Sequence, residues 1–132
     1  MSTSEHGSFI FRYETYGADG GYIAREQVVS GPFYHGGRAR ERAGGMISPG
    51  CRTNSWGDER GCANWVYFST EPSTAIAYAQ AAGGHLYQVI PAGEVRFDGS
   101  GGAGSYRSRS PLLVIREVPP GEWDSLPAGG VV

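Results

Sequence analysis

With 132 residues the chain has room for one small domain with a single modest core, and not for two. Its 22 glycines and 8 prolines predict short elements joined by tight turns, while 39% hydrophobic and 12% aromatic residues are enough for a packed interior and exclude a disordered chain. A net charge of -2 offers no general field for nucleic acid or an anionic membrane, and the lack of a long apolar run or a basic-then-apolar N-terminus predicts a cytoplasmic protein without a membrane span.

The segment FIFRYETY, Phe9 to Tyr16, alternates bulky apolar with polar residues and reads as a half-buried strand. A Gly20-Gly21 turn and a short polar piece lead to Gly31-Pro32, after which PFYHG is a brief strand ending at Gly36. From Gly37 to Ala63 the chain reads mostly as loop, long enough to be a lid or specificity loop. Its Cys51 and Cys62, with no CxxC and no matching histidine pair, read as reduced structural thiols.

NWVYFST, Asn64 to Thr70, is the densest β-prone run and predicts a central strand. Thr70 then reads as a helix N-cap, with Glu71 and Pro72 in the first turn of STAIAYAQAA and Gly83-Gly84 as the stop. Either Ile76, Ala79 and Gln80 or Ala75, Tyr78 and Ala82 face inward. Further strands are expected at Leu86 to Ile90, in GEVRF, in SYRSRSP after a glycine-rich GSGGAG loop, and at Leu112 to Val118. The tail, 119–132, contains nothing that predicts a regular element. The whole, 1–132, reads as one small α+β domain, mostly strands with one or two short helices.

Chemistry-bearing residues are few. No GxSxG, no HExxH and no GxxxxGK[ST] occurs, so a nucleophile elbow, a zinc site and a P-loop are not expected, and no metal is. Glu94 and Asp98 pair as carboxylates only by their closeness in sequence. His6 lies in a polar terminal stretch, and His85 follows a helix stop, where a solvated or capping role fits. His35 lies in GPFYHGG, where glycines allow close backbone approach; by itself it reads either as a packed ring with one backbone partner or as a ligand contact. Tyr67 among apolar neighbours reads as a core tyrosine, and Asp98 before Gly99 as a turn residue.

The order of segments adds to this. FYHGG, MISPG, RTNSWG, VYFSTEPSTAIAYAQ, HLYQVIPAGEVRFD and SYRSRSPLLVIREV, from about Gly31 to Val118, together resemble the rifamycin ADP-ribosyltransferases of the Arr family. Those carry an FYHG strand, an xxPG turn, a VYxT strand with a helix behind it, a YxVEPxGPxxDD segment and SYRxRxPxxVxGE. The resemblance implies a split, strongly bent β core and an NAD-dependent mono-ADP-ribosyltransferase. It places the family's histidine on His35, its tyrosine on Tyr67 and its catalytic aspartate on Asp98. The implied roles are ribose hydrogen bonding by His35, carboxamide pairing by the Gly36 backbone, nicotinamide stacking by Tyr67 and stabilisation of an oxocarbenium-like sugar by Asp98. Arg107 or Arg109 would neutralise the pyrophosphate.

The implied partners are NAD and a rifamycin hydroxyl, acted on by a monomer. No Glu-x-Glu pair of the kind expected in arginine-directed toxins occurs. The link after Asp98 is shorter than the family's, Ile90 stands at the glutamate of its VEP, and its C-terminal helical extension has no counterpart in the tail. Other expectations are a toxin or effector acting on protein or nucleic acid, a tRNA 2'-phosphotransferase, for which the charge offers little support, and a non-catalytic NAD-binding domain.

Overall fold

A computed structural model describes residues 7–38, 40–49, 65–98 and 104–131. His6, both cysteines, the RTNSWG segment and most of GSGGAG lie outside the described residues. Strands form at β1 (Ser8–Tyr16), β2 (Tyr22–Ser30), β3 (Phe33–Gly37), β4 (Met46–Ile47), β5 (Val66–Ser69), β6 (His85–Pro91), β7 (Val95–Phe97), β8 (Ser105–Ser108), β9 (Leu112–Glu117) and β10 (Gly130–Val131). Helix α1 (Pro72–Ala81) links β5 to β6, and a 3-10 helix (Pro120–Ser125) follows β9. The fold is α+β, as expected, with a curled antiparallel sheet at its centre.

That sheet has seven strands in the order β4-β9-β6-β3-β5-β8-β7, and a second one has three in the order β1-β2-β10. β3 joins the two halves of the larger sheet unevenly. Along β6 it is paired from Phe33 opposite Val89 to Gly37 opposite His85, whereas with β5 only Tyr34 and Ser69 stand opposite each other. Past that point β3 and β5 part, which is the split expected of the core.

Alternation along the strands sorts side chains onto two faces. Phe33, Val66, Phe68, Tyr87, Val89, Tyr106, Leu112 and Val114 fill one interior, which Phe9 covers from the smaller sheet. Phe9 lies 5.4 Å from Phe33 and 5.2 Å from Tyr106 between ring centroids. Tyr34, Leu86 and Val118 fill the other, beneath Ala75 and Ala79 of α1. Ala75, Ile76 and Ala79 thus face inward, while Tyr78 is exposed.

The small side chains of α1 let it lie directly on β3. A Cβ at Gly36 would collide with the Ala75 carbonyl oxygen and the Ala79 amide nitrogen, so the helix seat requires glycine there. The helix stops where the sequence predicts. Gly83 takes φ +62, Gly83 N–H donates to Gln80 O at 3.1 Å, and Gly84 N–H donates to Ala79 O at 2.8 Å, a Schellman cap.

Three expectations are corrected. The polar piece after the first turn is a nine-residue strand, β2, paired along its length with β1, so cross-strand pairing supplies the order that its exposed residues hide. The described part of the 37–63 segment past β3 is mostly loop, as expected, with one short strand, β4, whose Ile47 is buried opposite Leu112. Glu71, not Thr70, is the N-cap of α1; it makes no side-chain cap bond, and Pro72 follows. The tail is held rather than irregular. Trp123 Nε1 donates to Val118 O at 2.9 Å, Tyr34 Oη donates to Pro127 O at 2.7 Å, and β10 pairs with β2. Among the described residues no helix is long and apolar enough to cross a membrane.

Replacing Gly36 with alanine should force α1 off β3 and lower stability by about 1–3 kcal/mol, the usual penalty of overpacking, measured as a lower urea midpoint at unchanged m-value.

Candidate functional site

At the split, the outward turn of β3 leaves the carbonyl of Tyr67 without a ladder partner from that strand. His35 supplies one, its Nδ1 lying 2.6 Å from Tyr67 O. A carbonyl only accepts, so Nδ1 carries the proton and Nε2 of the neutral ring is left as an acceptor. Burial pushes the His35 pKa below its ordinary value, and the bond to Tyr67 opposes that only in part. A Cβ at Gly37 would stand 3.1 Å from Nε2, so the second glycine of FYHGG leaves that nitrogen clear.

Tyr67 is not the core residue that its neighbours suggest. Val66 and Phe68 are buried, while Tyr67 is 43% exposed on the other side of β5, opposite Arg107 of β8, which in turn lies opposite Arg96 of β7. Asp98 follows β7 and is only 6% exposed, so the reading as an ordinary turn residue does not describe it. Its N–H donates to Ser105 O at 3.0 Å. Ser105 is opposite Ser69, and Ser69 opposite Tyr34, so these four buried residues form one row across the sheet.

The return from Asp98 is fixed at its far end as well. The carbonyl of Gly104 accepts from Thr70 N–H at 2.9 Å, Ser69 Oγ at 3.0 Å and Thr70 Oγ1 at 3.3 Å. Ser69 Oγ also accepts from Glu71 N–H at 2.9 Å, which ties the same corner to the start of α1. The fold therefore joins His35 to the backbone of Tyr67 directly, and sets Asp98 two strand spacings across the sheet and two residues along it from Tyr67, about 12 Å away.

Both candidate arginines gather on a residue that the sequence reading passed over. The guanidinium of Arg107 lies 4.3 Å from the Trp65 ring centroid and that of Arg109 lies 4.6 Å from it. The signal was present in NWVYFS, because positions two apart on a strand share a side and Trp65 stands two before Tyr67.

His85 takes another part than capping. Its Nδ1 is 2.8 Å from Glu117 Oε2. With Arg40, Glu41 and Arg42 this pair lines an open groove beside the β3–β6 end of the sheet. Among the described residues no cluster of His, Cys, Asp and Glu is arranged to hold a metal ion.

The arrangement offers an acceptor nitrogen, an exposed aromatic ring, two guanidinium groups and a recessed carboxylate. Such a set suits a ligand that carries sugar hydroxyls, a flat ring and anionic oxygens.

Because His35 binds protons more weakly folded than unfolded, stability should rise with pH from its lowered pKa up to about 6.5 and level off above. Chemical denaturation of the wild type and His35→Gln at several pH values checks this, the substitution flattening that part of the profile. Gly37→Val should crowd Nε2 and weaken ligand binding while leaving the fold intact, as calorimetry and circular dichroism would show.

A comparison with protein families matches residues 33–123 to the family described as rifampin ADP-ribosyl transferase. A comparison with curated individual proteins finds no match. The matched span runs from the first residue of β3 into the 3-10 helix and includes His35, Trp65, Tyr67, Asp98, Arg107 and Arg109, leaving β1, β2 and β10 outside it. The chain belongs to the rifampin ADP-ribosyl transferase family and is a transferase of ADP-ribosyl groups.

Proposed function

We propose that the protein transfers the ADP-ribosyl group of NAD to a hydroxyl of a rifamycin and releases nicotinamide. The observation that carries this reading is the Nδ1 bond of His35 to Tyr67 O, which leaves Nε2 as an acceptor at the split of the sheet, next to the strand that carries the exposed Tyr67.

His35 Nε2 accepts from a hydroxyl of the nicotinamide ribose and holds that sugar in place. The Tyr67 ring stacks on the nicotinamide, and backbone groups of Gly36 pair with its carboxamide. When the bond between the sugar and nicotinamide breaks, its electron pair leaves with the nicotinamide and positive charge develops on the sugar. The Asp98 carboxylate stabilises that charge. The new bond forms between the same sugar carbon and the acceptor oxygen, whose proton passes to Asp98 and then to water. Arg107 and Arg109 face the diphosphate.

Every group named comes from one chain, so a monomer suffices. The chain acts as one unit in this reading, because Phe9, outside the matched span, packs on Phe33 at its start. No step calls for a metal, a membrane or a nucleic acid.

Incubated with NAD and rifampicin, the wild type should yield a product heavier by one ADP-ribose, detected by mass spectrometry. His35→Ala and Asp98→Asn should lower its rate of formation by about 100-fold or more. NAD hydrolysis without the adduct would remove the rifamycin from the proposal and point to a protein or nucleic-acid acceptor. Failure to bind NAD would remove the reaction altogether.

A further inference from the structure

Trp65, Arg107 and Arg109 form a cluster in which one buried donor has no acceptor among the described residues. The ring draws both guanidinium groups over itself, at 4.3 and 4.6 Å from its centroid. A π face satisfies their charge but gives their N–H groups no acceptor, and the one polar group of an indole is itself a donor. Consistent with this, Arg107 Nε is buried with no hydrogen-bond partner among the described residues. A buried unpaired donor costs about 1–3 kcal/mol, and two like charges on one ring add to that cost. An anion with several acceptor oxygens and more than one negative charge would offset both at once.

We infer that Trp65 holds Arg107 and Arg109 as a preformed subsite for a diphosphate, an inference that rests on the reading of this protein as a user of NAD. Arg107 is directly opposite Tyr67 on the neighbouring strand, about 5 Å away. A dinucleotide whose flat ring lies on Tyr67 carries its phosphates one ribose away, which brings them to the arginines. Trp65 acts through them and is a positioning residue. Its ring fixes where the two cations stand, and the ligand meets the guanidinium groups. Arginine is required rather than lysine, since the unpaired donor is Nε and lysine has no counterpart to it.

The test is calorimetric titration with ADP-ribose and, as a phosphate-free probe, adenosine. Trp65→Ala should weaken ADP-ribose by about tenfold and leave adenosine unchanged, Trp65→Phe should recover most of the loss by restoring a ring, and Arg107→Lys should lose about as much as Trp65→Ala. If circular dichroism shows that Trp65→Ala does not fold, Trp65→Leu, bulky but without a π face, takes its place. Unchanged ADP-ribose affinity in that variant, or an equal loss for adenosine, overturns the subsite. Transfer to rifampicin by the wild type is measured on the same preparation. If transfer proceeds while the tryptophan variant binds normally, the subsite alone falls; if the wild type binds no ADP-ribose, the NAD reading falls with it.

Discussion

The site is organised by one backbone carbonyl that a neighbouring strand leaves behind. β3 and β5 are in register only at Tyr34 and Ser69, and a sheet that opens there must find another donor for Tyr67 O or accept the cost of an unpaired acceptor. His35 Nδ1 is that donor, at 2.6 Å. The substitution of imidazole for ladder fixes the tautomer, so the ring is committed to presenting Nε2 as an acceptor. The same bond couples the two halves of the sheet, since His35 belongs to the half that includes β6 and Tyr67 to the half that includes β8.

Packing on both sides makes this opening rigid. The seat of α1 on Gly36 holds β3 from one face, and the aromatic cluster of Phe9, Phe33, Phe68 and Tyr106 holds it from the other. Bond networks then fix the edges. Arg116 reaches Glu122 at 3.2 Å and the Trp123 indole reaches Val118 O, so the chain after β9 is bound back to the sheet. Residues outside the family span contribute to the same body, through Phe9 and through β10, whose Gly130 is opposite Ser30.

Much of this was legible in the sequence where a local pattern decides the outcome. FIFRYETY, VYFS and LLVIRE declare themselves by β-prone composition, and STAIAYAQAA followed by two glycines declares a helix with its stop. The order of FYHGG, VYFST and RFD points to His35, Tyr67 and Asp98, and in the fold His35 is hydrogen-bonded to the backbone carbonyl of Tyr67. What stayed hidden depends on distant partners. β2 is exposed over most of its length and is ordered by β1, a relation no single-strand pattern reveals. The tail is held by isolated anchors such as Trp123 and Pro127, which have no period. Trp65 is hidden because it opens a β-prone run that reads as core, although its place two residues before Tyr67 sets it on the same side.

The Gly104 carbonyl, with its three donors, carries a consequence for how this enzyme could diversify. The path leaving Asp98 and the path entering β8 are each tied to the row of Ser69 and Ser105, one by the Asp98 amide and the other by Ser69 and Thr70. A connection clamped at both feet is free to vary in length and composition between them, because the strain of an insertion or deletion ends at the clamps and does not reach the carboxylate. The short GSGGAG link is then one of many that the same frame would accept. On the proposed reading, variation in that link and retention of the place of Asp98 become separable traits, written into different stretches of a small chain.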